Sequence, residues 1–324
     1  MPVVEQTFYR LAAIPQLDVA RDVPLNEHTR FGIGGPAAIL VRTASTEALI
    51  AASGVARGSG LPVEVIGGGT NLIVADEGFP GVVLRFTADR ILNAGTRVQV
   101  DAGAELQSLV DFTIERGLKG LETLTRIPGS TGAAIYGNAG AYGHSIDERV
   151  VAVRYLNGAR VDVLDRAGCK FRYRESIFKD CKDWIVLSVE LAVDRADPVE
   201  LRRAADGIRE IRDAKYPPTM RCAGSIFKNL LAAGLPAQAL AGAPPALVRE
   251  GKAPAGWFLE QVGAKGMRVG GIRVADYHGN LVYNEAGGTA RELCEVIVEL
   301  KRRVRERFGF EMEEEVQYVG LSAR

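Results

Sequence analysis

The chain has 324 residues, 47% hydrophobic and 25% charged, the balance of an ordinary globular protein long enough for about two or three domains. Forty Lys and Arg residues offset forty Asp and Glu, so net charge gives no basis for holding nucleic acid or an anionic membrane, and any anionic ligand must be held locally. No apolar run approaches the ~20 residues that cross a bilayer, no basic segment precedes an apolar core at the start, and four scattered cysteines and three histidines form neither a zinc pattern nor a disulfide framework; a cytoplasmic protein with inert thiols and no metal is expected.

The first elements read as a strand, AAILVR at 37–42, and a helix over 46–58. Ser45 is placed to cap that helix, Glu47 lies in its first turn, Leu49, Ala52 and Val55 recur at helical spacing, and Gly58 and Gly60 stop it. The strand PVEVI follows, completing a unit the size of a βαβ crossover. Next comes VIGGGTNLIV, residues 65–74. Gly67, Gly68 and Gly69 can adopt positive φ and let N–H groups converge on a phosphate. The loop lacks the Gly-Lys-Ser/Thr of a nucleotide triphosphatase and the spacing that opens a Rossmann helix, and it runs into short β-branched strands. A plain hairpin turn accounts for a glycine triplet equally well.

RVQVDAGA at 97–104 predicts a strand, and 104–117 a helix with Leu106, Leu109, Val110, Thr113 and Ile114 on one face and Gly117 at its end, opening a second, similar unit. RVVAVRYLN, ARVDVLD, CKFRYRES and DWIVLSVELAV then predict strands of a mixed or antiparallel sheet. The helix over 199–214 ends at Pro217 and Pro218, where a domain boundary is placed. An Ala/Pro-rich connector occupies 236–256. Thr289 and Glu292 then form a capping box ahead of a helix with Leu293, Ile297, Leu300, Val304 and Phe308 buried, and EVQYVG reads as a last strand.

A second glycine-rich stretch, IPGSTGAAIYGNAGAYG at 127–143, is too long for a turn and cannot pack a core of its own, which points to close approach of backbone to something flat or phosphorylated. Bare main-chain amides from the two loops would together grip a dinucleotide.

This pair resembles the FAD-binding fold of vanillyl-alcohol-oxidase-like flavoenzymes. With TRFGIGGPA, GLKGLETLTRIPGSTGAAIYGNAGAYG, FRYRESIFK, AGSIFKN, AGWFLEQVGAKG and EEEVQYVG in register from about residue 28 to 320, the chain is similar to the UDP-N-acetylenolpyruvoylglucosamine reductase family. The resemblance implies an α+β fold: a two-part FAD-binding domain of vanillyl-alcohol-oxidase/PCMH type, with subdomains 1–84 and 85–216, and a C-terminal α+β substrate domain, 217–324. It implies FAD and NADPH as cofactors, and reduction of the enol ether of UDP-N-acetylglucosamine enolpyruvate. Adding hydride to the β-carbon of an enolpyruvyl group piles charge onto its carboxylate, which calls for a cation there and a proton donor at the α-carbon.

On this resemblance Ser225 is the proton donor, Arg174 stabilises the carboxylate charge, and Glu315 is the family's C-terminal glutamate. Ile66, Gly67, Gly68, Gly69, Thr70 and Asn71 hold FAD on one side, and Pro128, Gly129, Ser130, Gly132, Ala133, Asn138, Ala139 and Gly140 on the other. Lys228 and Asn229 help hold the substrate diphosphate, and Gln261 and Glu260, in another matching motif, are the weaker candidates for substrate contact. From residue type alone, Ser225 is a turn residue, Arg174 a strand arginine paired with Glu175, Trp257 a packing residue, and Glu313 to Glu315 a solvated face. In a strand, Glu313, Glu315 and Gln317 would share one face and Val316 and Tyr318 the other.

Against the family pattern the chain lacks the tyrosine-bearing loop of the larger subclass and carries Gln317 where many members have arginine. Two other readings stand beside this one: an alcohol or sugar oxidase of the same fold, with His144 a candidate for covalent flavin attachment, and a non-catalytic flavin- or nucleotide-binding module.

Overall fold

The computed structural model describes residues 1–241, 243–244 and 246–321; Gly242 and Pro245 of the expected connector, and the last three residues of the expected 217–324 domain, lie outside the described residues. The chain sorts into two compact units, Met1–Val23, Ala37–Gly69 and Pro80–Pro217 forming the first and Pro24–Pro36, Thr70–Phe79 and Pro218–Arg324 the second.

In the first unit, α1 (Val3–Ala12) precedes a four-stranded sheet ordered Asp18–Pro24, Pro36–Thr43, Phe79–Phe86, Val63–Val65, whose last two strands run parallel. Helix α2 (Thr46–Arg57) starts where the Ser45 hydroxyl accepts the Ala48 N–H at 3.2 Å, and it buries Ala48, Leu49, Ala52, Ser53 and Ala56; of the face that its spacing predicts, Leu49 and Ala52 are buried and Val55 half-buried. A five-stranded sheet follows, ordered Arg160–Asp165, Val150–Asn157, Ile185–Ala192, Arg97–Asp101, Ile91–Ala94, with every neighbouring pair antiparallel. Helix α3 (Leu106–Glu115) buries all five predicted apolar-face residues, and Gly117, at φ +62°, turns the chain. The similar strand–helix unit expected here does not close a parallel crossover, because the strand before α3 pairs only with antiparallel neighbours.

Helices α4 (Thr131–Tyr136), α5 (Ile177–Asp180) and α6 (Pro198–Lys215) complete this unit. Asp197 caps α6 by accepting the Val199 N–H at 2.7 Å, and Pro198 takes the first helical position, where its missing N–H costs nothing. CKFRYRES, expected as a strand, is instead a tight turn: Arg172 and Glu175 exchange backbone hydrogen bonds, and Arg174 between them has φ +59°. The alternating aromatic and charged residues fit a pleated strand, but the left-handed residue reverses the chain.

In the second unit, strand Leu72–Val74 lies parallel to Gln317–Val319. Helix α7 (Ala255–Gln261) and a three-stranded antiparallel sheet (Arg268–Val269, Ile272–Val274, Val282–Asn284) lead to α8 (Ala290–Phe308). The Thr289/Glu292 capping box forms, and the Asp76 carboxylate also accepts the Ala290 and Arg291 N–H groups at 2.7 and 3.0 Å, so the orphan donors of the first turn are met. The predicted stripe from Leu293 to Phe308 is buried, each leucine contributing roughly 2 kcal/mol. Gly309, left-handed at φ +75°, ends the helix. The sequence segment expected as a connector contains the turn Ala237–Leu240, the strand Lys252–Ala253 and the start of α7.

Candidate active site

The two glycine-rich loops meet in the first unit. A Cβ on Gly67 would lie 2.6 Å from the Ser130 hydroxyl and 3.3 Å from the Ala133 methyl, so only glycine permits this approach. Ile66, buried, ties the loop's entry to the sheet through its N–H to Leu84 O at 3.0 Å, and Gly69 turns at φ +65°. Among the described residues no protein acceptor meets the N–H groups of Gly67, exposed Gly68 or Gly69. They are oriented donors of the kind an anion uses.

The second loop differs from the expectation of bare amides. Thr131 and Gly132 donate their N–H groups to Ala104 O and Ala102 O, both at 2.8 Å, and Ala133 donates to the Ser130 hydroxyl at 3.4 Å. The first turn of α4 is therefore satisfied by the protein, and what this loop supplies is shape. A Cβ on Gly132 would strike the Ala102 methyl at 2.8 Å, and one on Gly140 the His144 carbonyl at 2.4 Å. Gly129, at φ +120°, accepts the Leu106 N–H at 2.9 Å, and Pro128 before it is half-buried. Asn138 is buried at φ +43°, donates Nδ2 to Arg172 O at 2.9 Å and accepts the Asp147 N–H at 3.4 Å; Ala139 donates to Ala134 O at 2.8 Å.

Arg174 sits on the turn that Asn138 anchors. Its guanidinium donates to Gly140 O at 2.6 Å and Asn138 O at 3.4 Å, and its own carbonyl accepts the Lys179 ammonium at 2.6 Å. A non-glycine residue held at positive φ costs of order 1–3 kcal/mol and persists only where its surroundings fix it, which is how functional sites store strain. Nearby, burial first and then the Glu64 and Glu175 charges push the Tyr136 hydroxyl up to about 12, and burial holds the Glu64 carboxyl above its ordinary value. His144 lies exposed and bonds Glu148 at 2.9 Å.

The second unit carries the other candidates. Ser225 forms a bridge with Leu281, and the buried Asn280 staples Phe227, two residues on, accepting its N–H and donating to its carbonyl, each at 2.9 Å. Lys228, 6% exposed, pairs with Glu313, and Glu314 pairs with Lys301 at 2.9 Å. Glu315 is half-buried, donates its N–H to Ile226 O at 2.7 Å, and through its carbonyl accepts Asn71 Nδ2 at 2.8 Å. Glu313 and Glu314 thus have separate lysine partners, and strand alternation does not set this, since the strand itself spans only Gln317–Val319. Thr70 opens the segment leading to Asn71. Asn229 accepts the Ala255 N–H at the start of α7 at 3.2 Å, and Gln261, exposed, closes that helix. Glu260 accepts from Lys265 at 2.8 Å. Trp257 packs edge-on against Phe258, 4.8 Å between centroids. The sequence reading missed Asn280 and Asp76; one polar residue in a run of turn residues carries no periodic signal.

Among the described residues no cluster of three or more metal-binding side chains occurs, and no helix is long and apolar enough to cross a membrane. Residues 37–163 match the FAD binding domain family and residues 216–319 match the family described as UDP-N-acetylenolpyruvoylglucosamine reductase, C-terminal domain. Glycine cradle and match together define a protein of the FAD-binding class. The chain is 61% identical over 96% of its length to the UDP-N-acetylenolpyruvoylglucosamine reductase of Solibacter usitatus, all of which is covered, and 36% identical over 92% to that of Rubrobacter xylanophilus, 94% covered. The crystal structure of the Thermus caldophilus UDP-N-acetylenolpyruvylglucosamine reductase is similar with a TM-score of 0.72 at 28% identity, covering 94% of this chain and 98% of that one. The chain belongs to the UDP-N-acetylenolpyruvoylglucosamine reductase family.

Proposed function

We propose that this protein is an FAD-dependent oxidoreductase that uses NADPH to reduce UDP-N-acetylglucosamine enolpyruvate to UDP-N-acetylmuramate, a step of peptidoglycan synthesis in the cytoplasm. The observation that carries the reading is the approach of Gly67 to Ser130 and Ala133, which leaves no room for any side chain and sets open amides beside a side-chain-poor wall. Such a cradle fits the pyrophosphate of a dinucleotide. Ile66 to Asn71 hold one side of FAD, and Pro128 to Ala133 with Asn138 to Gly140 the other. In this reading 1–84 and 85–216 serve the flavin and 217–324 the substrate.

Held by these two loops, FAD would supply the hydride-carrier chemistry between NADPH and the β-carbon of the enol ether. Arg174 neutralises the charge that develops on the substrate carboxylate, its guanidinium pre-oriented by two main-chain carbonyls so that little reorganisation is needed. Ser225 gives its hydroxyl proton to the α-carbon; a serine is a weak acid, and a carbanion-like acceptor is basic enough to take it. Glu315 completes the set, its main chain fixed on both sides by Ile226 and Asn71. Lys228, Asn229 and Gln261 bind the UDP-sugar, the buried ammonium of Lys228 exchanging Glu313 for a diphosphate oxygen.

The test is anaerobic. The purified protein is bleached with NADPH and given the UDP-enolpyruvyl sugar; return of the visible flavin absorbance supports the assignment, and a flavin that stays bleached rejects it.

A further inference from the structure

The first turn of α3 holds both ends of a short span of the second glycine-rich loop. The Gln107 side chain accepts the Arg126 N–H at 2.7 Å, and the Leu106 N–H donates to Gly129 O at 2.9 Å. Between those anchors the direction of the chain is set by Arg126, which stands at φ +63°, a conformation that L side chains rarely adopt. Its guanidinium donates through both Nε and Nη2 to a single oxygen of Asp213, at 2.8 and 2.6 Å. Asp213 lies in the last turn of α6. A second polar chain ties the same helices: Gln107 donates to Asp111 at 3.1 Å, and the other Asp111 oxygen accepts from Arg202 of α6 at 2.6 Å.

We propose that Arg126 and Asp213 are positioning residues for the flavin wall: the ion pair holds Arg126 in its left-handed conformation and so aims Ile127 to Ser130. This rests on the flavin reading of that wall. With both side chains about a third exposed, 32% and 35%, the pair is worth little as a surface salt bridge; its effect is conformational. The two roles separate on glycine, which takes positive φ without help.

FAD dissociation constants of the full-length protein provide the test, read by flavin fluorescence, together with hydrogen exchange of the Ile127 and Gly129 amides in the flavin-free chain. Arg126→Ala and Asp213→Ala each weaken FAD about tenfold and speed exchange, because a clamped left-handed residue has been released. Arg126→Gly stays within about twofold of the parent in both readings, and Asp213→Ala adds nothing in the Arg126→Gly background. Equal losses in Arg126→Gly and Arg126→Ala, or unchanged FAD affinity in Arg126→Ala, overturn the proposal while leaving the flavin reading in place. A parent protein that takes up no FAD overturns both.

Discussion

Asn71 and Glu315, 244 residues apart, are joined directly: Asn71 Nδ2 donates to the Glu315 carbonyl at 2.8 Å, and two residues on, the Gln317 N–H donates to the Asn71 carbonyl at 2.9 Å. A residue of the first glycine loop thereby fixes the backbone that carries a candidate catalytic carboxylate. Asn71→Asp replaces the donor with a second acceptor facing that carbonyl. Reoxidation of the reduced flavin by substrate is expected to slow about tenfold or more, with flavin reduction by NADPH changed less, as stopped-flow absorbance would report.

Gly67→Ala places a methyl group 2.6 Å from the Ser130 hydroxyl. FAD binding is expected to fall by about tenfold or more with the far-UV spectrum retained, and Ser130→Ala in the same chain recovers part of it. Equal affinity in the single mutant and the parent would show that the loops have room to spare.

Ser225→Ala is expected to leave FAD bound and NADPH oxidation by a surrogate acceptor intact, while product formation drops on the order of 10² or more. A mutant that forms product at the parent rate removes Ser225 from the chemistry.

The buried Lys228 ammonium pairs with a Glu313 carboxylate whose side chain is 69% exposed. Glu313→Gln removes the charged competitor for substrate phosphate and should lower KM a few-fold, at a cost of about 1 kcal/mol for exchanging a charge-assisted hydrogen bond to Lys228 for a neutral one. Lys228→Ala should raise KM by about tenfold or more. Initial-rate kinetics beside a melting curve separate the two effects.

Burial pushes the Asp147 carboxyl up, but hydrogen bonds from Ser145, Arg166 and the Asn138 contact outweigh it and hold it below its reference value of 3.8. A depressed carboxylate contributes stability that is present above the unfolded value and is lost as pH falls through the folded one. Acid should therefore loosen the Asn138–Asp147 segment below about pH 3.8, and Asp147→Asn should flatten that part of the stability profile.

Much of this was legible in the sequence where one local rule decides the outcome. Ser45 and the Thr289/Glu292 box sit where side-chain oxygens meet orphan amides, and the α3 and α8 stripes follow the helical period. Family motifs led to the site candidates, since a serine between glycine and isoleucine has no local signature. What stayed hidden depends on contacts distant in the chain. The turn at 172–175 hangs on Asn138, and the separate partners of Glu313 and Glu314 come from Lys228 and Lys301. Arg174 at positive φ is invisible to propensity, because its neighbours and not its own side chain impose it.

The chain passes between its two units after residues 23, 36, 69, 79 and 217, and strand Leu72–Val74 pairs with Gln317–Val319. During synthesis the first unit can close once Pro217 has emerged, whereas Leu72–Val74 waits for a partner made some 240 residues later. A ribosome-bound chain would therefore expose an unpaired strand edge for most of its translation, and cutting at the Pro217–Pro218 junction would yield a fragment with orphaned segments instead of two self-sufficient pieces.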